Sequence, residues 1–429
     1  MSIADKFKSF LDNIKVSNDE QISDRYGEIT LALNKEFRDS DSSTANNLRV
    51  GSYGRWTAIK GISDLDMLYI MPAGKWGDYK NGGQSKLLQD TKNAIKGRYP
   101  RTDIFVDSPV VRVLYTNFHV EVQPVFKQDD GSYLYPDTRN GGSWKTTKPR
   151  EEMDAMKTVN EDYNRNLRRL CKMARAWKNK HGVGMGGLLI DTLAHNFIKA
   201  NDDYKEKSYL YYDWMSRDFF KFLADQPDKE YYAALGSGQR VKVKEKFQKA
   251  ANKAYDLCLK AIEDNGKDTE NAKWQKIYGR QFPSAVVVEK AEASTYKQDY
   301  KRTEEFVEDS YSVDIRNKLR IDCEVTQNGY RPDSLRNMLM RNFKLSPKKS
   351  LKFNIVENDT SGDYDVYWKV LNRGDEAKRR DCVRGQVVQD SGLGKIEEHT
   401  NFSGDHIVEC YIVKNNVVVA KDRIHVPIE

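Results

Sequence analysis

The sequence predicts an α+β fold in two parts: a mixed core with a helical lobe over residues 1–283, and a small β-rich, sandwich-like domain over 304–429. Three observations carry this. Before residue 283 most apolar residues recur at helical spacing, around a few apolar runs short enough to be strands. Residues 284–303 are small, polar and charged, as in a linker. Beyond them the pattern turns to alternation, as in Leu319, Ile321, Cys323 and Val325, and Asn415-Asn416 sits as a tight hairpin turn between two β-rich runs.

The composition bounds the answer. A chain of 429 residues with 38% hydrophobic content can hold two or three domains. No apolar run approaches the roughly 18 residues that would span a membrane. The N-terminus lacks a basic n-region and an apolar h-region, so a cytoplasmic protein is expected. The five cysteines are scattered and odd in number, which suits a reducing compartment, and none has zinc-site spacing with histidine. The net charge of +7 suits phosphate-bearing ligands but is too weak to specify a nucleic-acid partner.

In chain order, Ile3, Phe7, Phe10, Leu11 and Ile14 form one helical face, and Ile22, Tyr26, Ile29, Leu33 and Phe37 the next. Ser17 and Glu20 have capping-box spacing before the second helix. Gly51-Ser52-Tyr53-Gly54 then opens a turn. Asp64 and Asp66 begin an apolar strand, Leu65 to Met71. Strand residues i and i+2 project to one side, so the two carboxylates stand together. They repel unless a cation lies between them, and Mg²⁺ is the natural partner of hard oxygens and of substrate phosphates. Gly51 and Ser52 offer N–H groups and a hydroxyl to those phosphates.

Residues 74–83 read as a loop, 87–95 as a helix, and 110–114 and 119–126 as strands. Glu121 in the last strand is either an edge glutamate facing water or a third carboxylate beside the pair. Gly141 to Lys145 reads as a polar loop at the mouth of the site, and 151–180 as one long basic helix. On that helix Lys172 and Arg175, at i and i+3, share a surface. Gly182 to Gly187 ends it. A helix over 188–198, an aromatic cluster at Tyr209, Tyr211, Tyr212 and Trp214, a Lys-rich helix over 238–263 and a closing segment at 274–283 complete the core. After the linker, a short helix at 335–343 and strands near 351–356, 364–371, 384–388, 406–413 and 417–427 build the sandwich.

Gly51-Ser52, the run from Thr57 to Asp66 with its Ser63-Asp64-Leu65-Asp66, and Val120-Glu121-Val122-Gln123-Pro124 together resemble the DNA polymerase β-type nucleotidyltransferases. More narrowly, they resemble the cGAS/DncV-like enzymes (CD-NTases) with their SMODS domain; Glu121 stands where that family often has Asp. Tyr367 to Ala377, Arg384-Gly385 and Gly404-Asp405-His406 resemble the AGS-C sensor domain.

The resemblance implies a polymerase β-like core in which Asp64, Asp66 and Glu121 are catalytic and hold two Mg²⁺ ions roughly 4 Å apart, with Mn²⁺ able to substitute. It implies that Gly51 and Ser52 position phosphates and that Lys172 and Arg175 touch the donor triphosphate. The substrates would be NTPs, joined into a cyclic di- or trinucleotide. That product would be a second messenger of bacterial antiphage defence (CBASS), read by a downstream effector. A ligand or activator would bind the C-terminal domain, where Arg373, Arg384, His399 and His406 are pocket candidates. A rival reading is transfer of a nucleotide to an RNA or protein acceptor, though the mild charge argues against a nucleic-acid substrate. A second rival, a regulator that has lost catalysis, conflicts with the intact Asp64-Leu65-Asp66.

Overall fold

In the computed structural model, which describes residues 1–61, 64–116, 118–284, 303–327 and 331–429, the chain divides into two compact units. One takes in Met1–Trp177 and Gly186–Ala285, the other Lys178–Met185 and Val286–Glu429. Residues 285–302 of the expected linker, and Ser63 of the motif, lie outside the described residues.

The first unit is organised by a mixed sheet of β1 (Asn47–Arg49), β2 (Asp64–Ile70), β3 (Ile104–Asp107), β4 (Val110–Leu114) and β5 (His119–Lys127), in the order β1-β2-β5-β4-β3. β2 and β5 run parallel and the other neighbours antiparallel. The far end of β5 pairs with β6 (Tyr133–Asp137), which pairs with β7 (Ser143–Thr147). Helix α1 (Ile3–Asn13) precedes α2 (Asp19–Arg38). The loop α3 (Gly51–Gly54) and a single turn, α4 (Trp76–Tyr79), precede α5 (Gln84–Arg98). Ile22, Tyr26, Ile29 and Leu33 of α2 and Leu87, Leu88 and Ile95 of α5 share a core with Leu65, Met67 and Tyr69 of β2 and Val120 and Val122 of β5. This apolar face fixes the register, because a slip of one residue would turn the carboxylates of β2 into that core.

The helical lobe comprises α6 (Pro149–Asp162), α7 (Asn166–His181), α8 (Gly187–Lys199), α9 (Tyr212–Ala224), α10 (Gln248–Glu263) and α11 (Glu270–Tyr278), with a small hairpin of β8 (Tyr231–Ala233) and β9 (Arg240–Lys242). Helix α1 joins it through Phe7, whose buried ring lies 5.1 Å from Trp274 and 5.3 Å from Phe282 in edge-on contacts.

Several local expectations differ from the structure. The single helix expected over 151–180 breaks where Asn164 and Arg165 take left-handed φ of 47° and 63°. Buried Asn166 holds the break by donating to the carbonyls of Tyr204 (2.8 Å) and Lys207 (2.9 Å), and Asn160 accepts the Arg168 N–H (3.0 Å). The helix expected over 238–263 begins only at Gln248, because Arg240–Lys242 pairs as a strand. Ser143–Thr147 is a strand, not a loop. The capping box forms at Ser2 and Asp5, whereas α2 starts after Asn18 without a side-chain cap.

The second unit holds helices α12 (Val307–Ser310), α13 (Leu335–Met340) and α14 (Asp375–Arg379), and two sheets. One sheet contains β10 (Ser312–Val313), β14 (Asp365–Leu371), β15 (Arg384–Gln389), β17 (Gly404–Lys414) and β18 (Val417–Ile428). The other contains β11 (Leu319–Thr326), β12 (Asp333–Ser334), β13 (Ser350–Asn358) and β16 (Lys395–His399). Ile321, Cys323 and Phe353 from one and Trp368, Cys410 and Ile424 from the other enter one core, the sandwich expected from the alternation. Asn415 and Asn416 both have positive φ (52° and 61°), as a two-residue hairpin turn requires. The five cysteines are free.

Phe7→Ala would empty the aromatic cluster that ties α1 to α11. The expected loss is about 3–5 kcal/mol of unfolding free energy, read as a lowered urea midpoint; an unchanged midpoint would contradict this packing role.

Candidate active site

Because Leu65, Met67 and Tyr69 of β2 and Val120 and Val122 of β5 enter the core, the residues between them face the other way. Asp64 and Asp66 therefore share a face with His119 and Glu121. The parallel register sets Asp64 beside His119 and Asp66 beside Glu121. His119 Nε2 lies 3.4 Å from Asp64 Oδ1 and 3.4 Å from Glu121 Oε1. One ligand atom from each of Asp64, His119 and Glu121 falls within 4.8 Å of the others. From β4, Arg112 sets Nη2 2.9 Å from Glu121 Oε1 and Nε 3.2 Å from Asp107 Oδ2. Glu121 is thus an interior-strand carboxylate, not an edge residue facing water. Burial would raise its pKa, but the hydrogen bond from His119 and the charge of Arg112 outweigh burial and hold it below its ordinary value.

The glycine turn closes against the same strand. Val50 N–H donates to Asp66 O (3.0 Å), and the Tyr26 hydroxyl donates to the same oxygen (2.7 Å). Gly51 has φ +62°, and a Cβ there would lie 1.7 Å from Asp66 Oδ2, so both backbone and space demand glycine. Ser52 O accepts the N–H groups of Thr57 (2.9 Å) and Ala58 (3.2 Å), closing the loop.

A fully buried carboxylate, Asp191 on α8, anchors that loop to the helical lobe. Its Oδ1 lies 2.6 Å from Arg175 Nη1; its Oδ2 takes Arg175 Nη2 (3.0 Å), Arg55 Nε (2.8 Å) and the Thr57 hydroxyl (3.0 Å). Arg55 Nη1 also reaches Glu152 Oε2 at 3.1 Å. Burial would raise the Asp191 pKa, yet the two guanidinium groups bring it down to about 2. Burial raises that of Glu152, with Arg55 opposing.

The structure therefore corrects one expectation. Arg175, expected on a triphosphate, is buried and committed to Asp191 and to the carbonyl of Gly187 (3.1 Å). Lys172, its expected companion, is half-buried and forms no ion pair among the described residues. Burial, then the charges of Arg168, Lys15 and Arg175, push its ammonium below the ordinary value, with Asp19 opposing. A half-buried ammonium set among further cations suits an anionic ligand. His119 is the residue that sequence reasoning missed. Its signal was the alternation of His119, Glu121 and Gln123 against Val120 and Val122.

Asp64, Asp66 and Glu121 give hard oxygen donors on one face, with His119 between two of them, a set that fits a divalent cation. In the second unit, Arg384 is paired in bidentate fashion with Glu398 (2.7 and 2.9 Å). The His406 ring is held between Arg373 N–H (3.1 Å) and Phe402 O (3.3 Å). Trp368 is a core residue whose indole N–H donates to Asp390 Oδ1 (2.9 Å). No helix among the described residues is long and apolar enough to cross a membrane.

Comparison with known proteins adds two domains. Residues 1–160 match the Second Messenger Oligonucleotide or Dinucleotide Synthetase (SMODS) domain, and residues 301–429 the Adenylyl/Guanylyl and SMODS C-terminal sensor (AGS_C) domain. A Cyclic AMP-AMP-AMP synthase from an Acinetobacter species is 22% identical over 255 residues, covering 55% of this chain and 72% of that protein. Among solved structures, a CdnC:HORMA-deltaN complex from E. coli is 13% identical, covers 65% of this chain and 98% of that chain, and gives a TM-score of 0.48. The CD-NTase CdnG of Bradyrhizobium diazoefficiens, solved with GTP, is 10% identical, with 65% and 96% covered and a TM-score of 0.47.

Asp191→Asn leaves Arg175 buried without its counter-charge and Arg55 with Glu152 alone, and should cost about 3–5 kcal/mol in chemical denaturation. A loss within error of zero would show that the cluster bears no load. The Asp191 pKa is depressed, so its contribution is present above the ordinary carboxylate value of 3.8 and is lost as pH falls towards about 2. The wild-type minus Asp191→Asn difference should therefore be flat between about pH 5 and 8 and shrink below about pH 4. Gly51→Ala should lower stability by at least about 1 kcal/mol, and a crystal structure should show the Asp66 carboxylate displaced.

Proposed function

We propose, for a chain that carries a SMODS domain over residues 1–160 and an AGS_C domain over 301–429, a nucleotidyltransferase that joins NTPs into a cyclic di- or trinucleotide and releases pyrophosphate. The observation that carries it is the one face of the β2–β5 pair that presents Asp64, Asp66 and Glu121 beside the Gly51-Ser52 turn. These three carboxylates would hold a divalent cation, whose chemistry there would be to neutralise the triphosphate and lower the pKa of an attacking ribose hydroxyl.

The chain's own groups do the rest. The Ser52 hydroxyl and the loop N–H groups orient the phosphates. Lys172 receives the triphosphate charge, with Arg168 and Lys15 adding to the local field. His119, between Asp64 and Glu121, fixes both carboxylates in place, and Arg112 also bonds to Glu121 Oε1. Glu121 stays ionised at neutral pH and takes the hydroxyl proton. The ribose oxygen then bonds to the α-phosphorus as the bond to pyrophosphate breaks. Positioning and charge neutralisation supply most of the acceleration.

The same reading makes the product a second messenger of antiphage defence in the cytoplasm, read by a separate effector. The AGS_C domain becomes the place where a ligand sets activity. The Acinetobacter relative, named for a cyclic trinucleotide of AMP, favours ATP among the substrates to try first.

Incubation with the four labelled NTPs in Mg²⁺ or Mn²⁺, followed by phosphatase, should leave a resistant product that the Asp64→Ala/Asp66→Ala variant does not make. No product from the wild type under either metal would overturn the proposal. Lys172→Ala should raise KM for the donor NTP about tenfold with an unchanged urea midpoint, whereas Arg175→Ala should lower the midpoint.

A further inference from the structure

Trp56 follows the glycine turn and carries two features that the fold does not repay. Its backbone sits at φ +63°, a region that disfavours a bulky residue, and its side chain is 65% exposed. The strain is held from both sides. Arg55 before it is buried against Asp191 and Glu152, and Thr57 after it is bonded to Asp191. The peptide between Arg55 and Trp56 accepts Arg168 Nε at 3.1 Å, and the Trp56 N–H donates to Tyr53 O at 3.1 Å.

The indole is also the last ring of a stack. It lies 6.4 Å from Tyr53 at an interplanar angle of 21°, and Tyr53 lies 6.4 Å from Tyr26 at 18°. The Arg49 guanidinium sits 4.9 Å from the Tyr26 ring and 5.9 Å from that of Tyr53. Tyr26 in turn donates its hydroxyl to the backbone of Asp66. A column of planar groups thus runs from the carboxylate strand to the surface and ends on an exposed indole. Among the described residues, Tyr53 is the ring stacked against that indole. Arg168, which reaches the peptide beside Trp56, lies one helical turn from Lys172 on α7.

A flat apolar surface, cations one step away and clustered carboxylates beyond are the three chemistries of a nucleotide bound with its metal. We propose that Trp56 is the platform on which the base of a substrate NTP stacks, with the sugar and phosphates leading towards Lys172 and the carboxylates. The proposal rests on the nucleotidyltransferase reading and adds a specificity residue to it. Stacking on an indole reads π-surface rather than base edges, so the larger purines gain more from it than the pyrimidines.

The test is equilibrium binding of non-hydrolysable ATP, GTP, CTP and UTP analogues with Mg²⁺ to the wild type, Trp56→Gly and Trp56→Phe, followed by KM and kcat on the matching NTPs. Glycine tolerates positive φ, so the thermal midpoint of Trp56→Gly should equal or exceed that of the wild type. Its Kd for the purine analogues should nonetheless rise about tenfold or more. Trp56→Phe should recover most of that affinity, and the loss should fall on KM more than on kcat. Wild-type affinity of Trp56→Gly for all four analogues, in a protein that binds nucleotide and makes product, would overturn the Trp56 assignment alone. A wild type that binds none of the analogues would overturn this assignment and the parent reading together.

Discussion

The buried carboxylate of Asp191 is the interaction on which the site depends. It brings Arg175 of α7, Arg55 and Thr57 of the glycine loop and, through Arg55, Glu152 of α6 into one cluster shielded from water. Two guanidinium groups face two carboxylates, so the charge is balanced. A cluster that replaced water by matched partners is costly to break at any one member, even where its net worth against an apolar core is small. Its consequence is geometric. The loop from Gly51 to Thr57 is tied at one end to the helical lobe and at the other to β2, where Val50 bonds to Asp66 and Gly51 lies against the Asp66 carboxylate.

The second constraint is the parallel pairing of β2 and β5. Alternate residues of both strands fill the core under α2 and α5, so one register puts the carboxylates of β2 beside His119 and Glu121. The apolar face thereby decides the polar one. His119 and Arg112 then meet at the same oxygen of Glu121, Oε1, and hold the carboxylate below its ordinary pKa. Arg112 and the His119 imidazole share the space with these carboxylates and offset part of their mutual repulsion. A metal and a triphosphate can exploit the same arrangement.

Some of this was legible in the sequence and some was not, for physical reasons. The Asp64 and Asp66 pair, the glycine turn and the two-part architecture are set by spacings of a few residues, which a one-dimensional pattern preserves. The role of His119 depends on which residue of β2 it pairs with, a register that no local spacing states. The burial of Arg175 is not legible locally, because its partner Asp191 lies a loop and part of a helix further on, and a basic residue on a helix gives no sign that it is buried. The break before Asn166 carries neither glycine nor proline; it is held by asparagine side chains that bond to distant carbonyls. Arg240–Lys242 forms a strand, and its alternation has the strand period even though it adjoins a Lys-rich helical pattern.

The claim that the buried cluster shapes the acidic site is tested most directly by Mn²⁺ affinity, measured by electron paramagnetic resonance of the free ion, in the wild type and in Asp191→Asn at a temperature where both are folded by circular dichroism. Asp191 offers no ligand atom to the site. The account predicts that its amide variant nevertheless binds Mn²⁺ at least about tenfold more weakly, because the loop no longer holds Gly51 and Asp66 in register. A folded Asp191→Asn protein with wild-type Mn²⁺ affinity would contradict it.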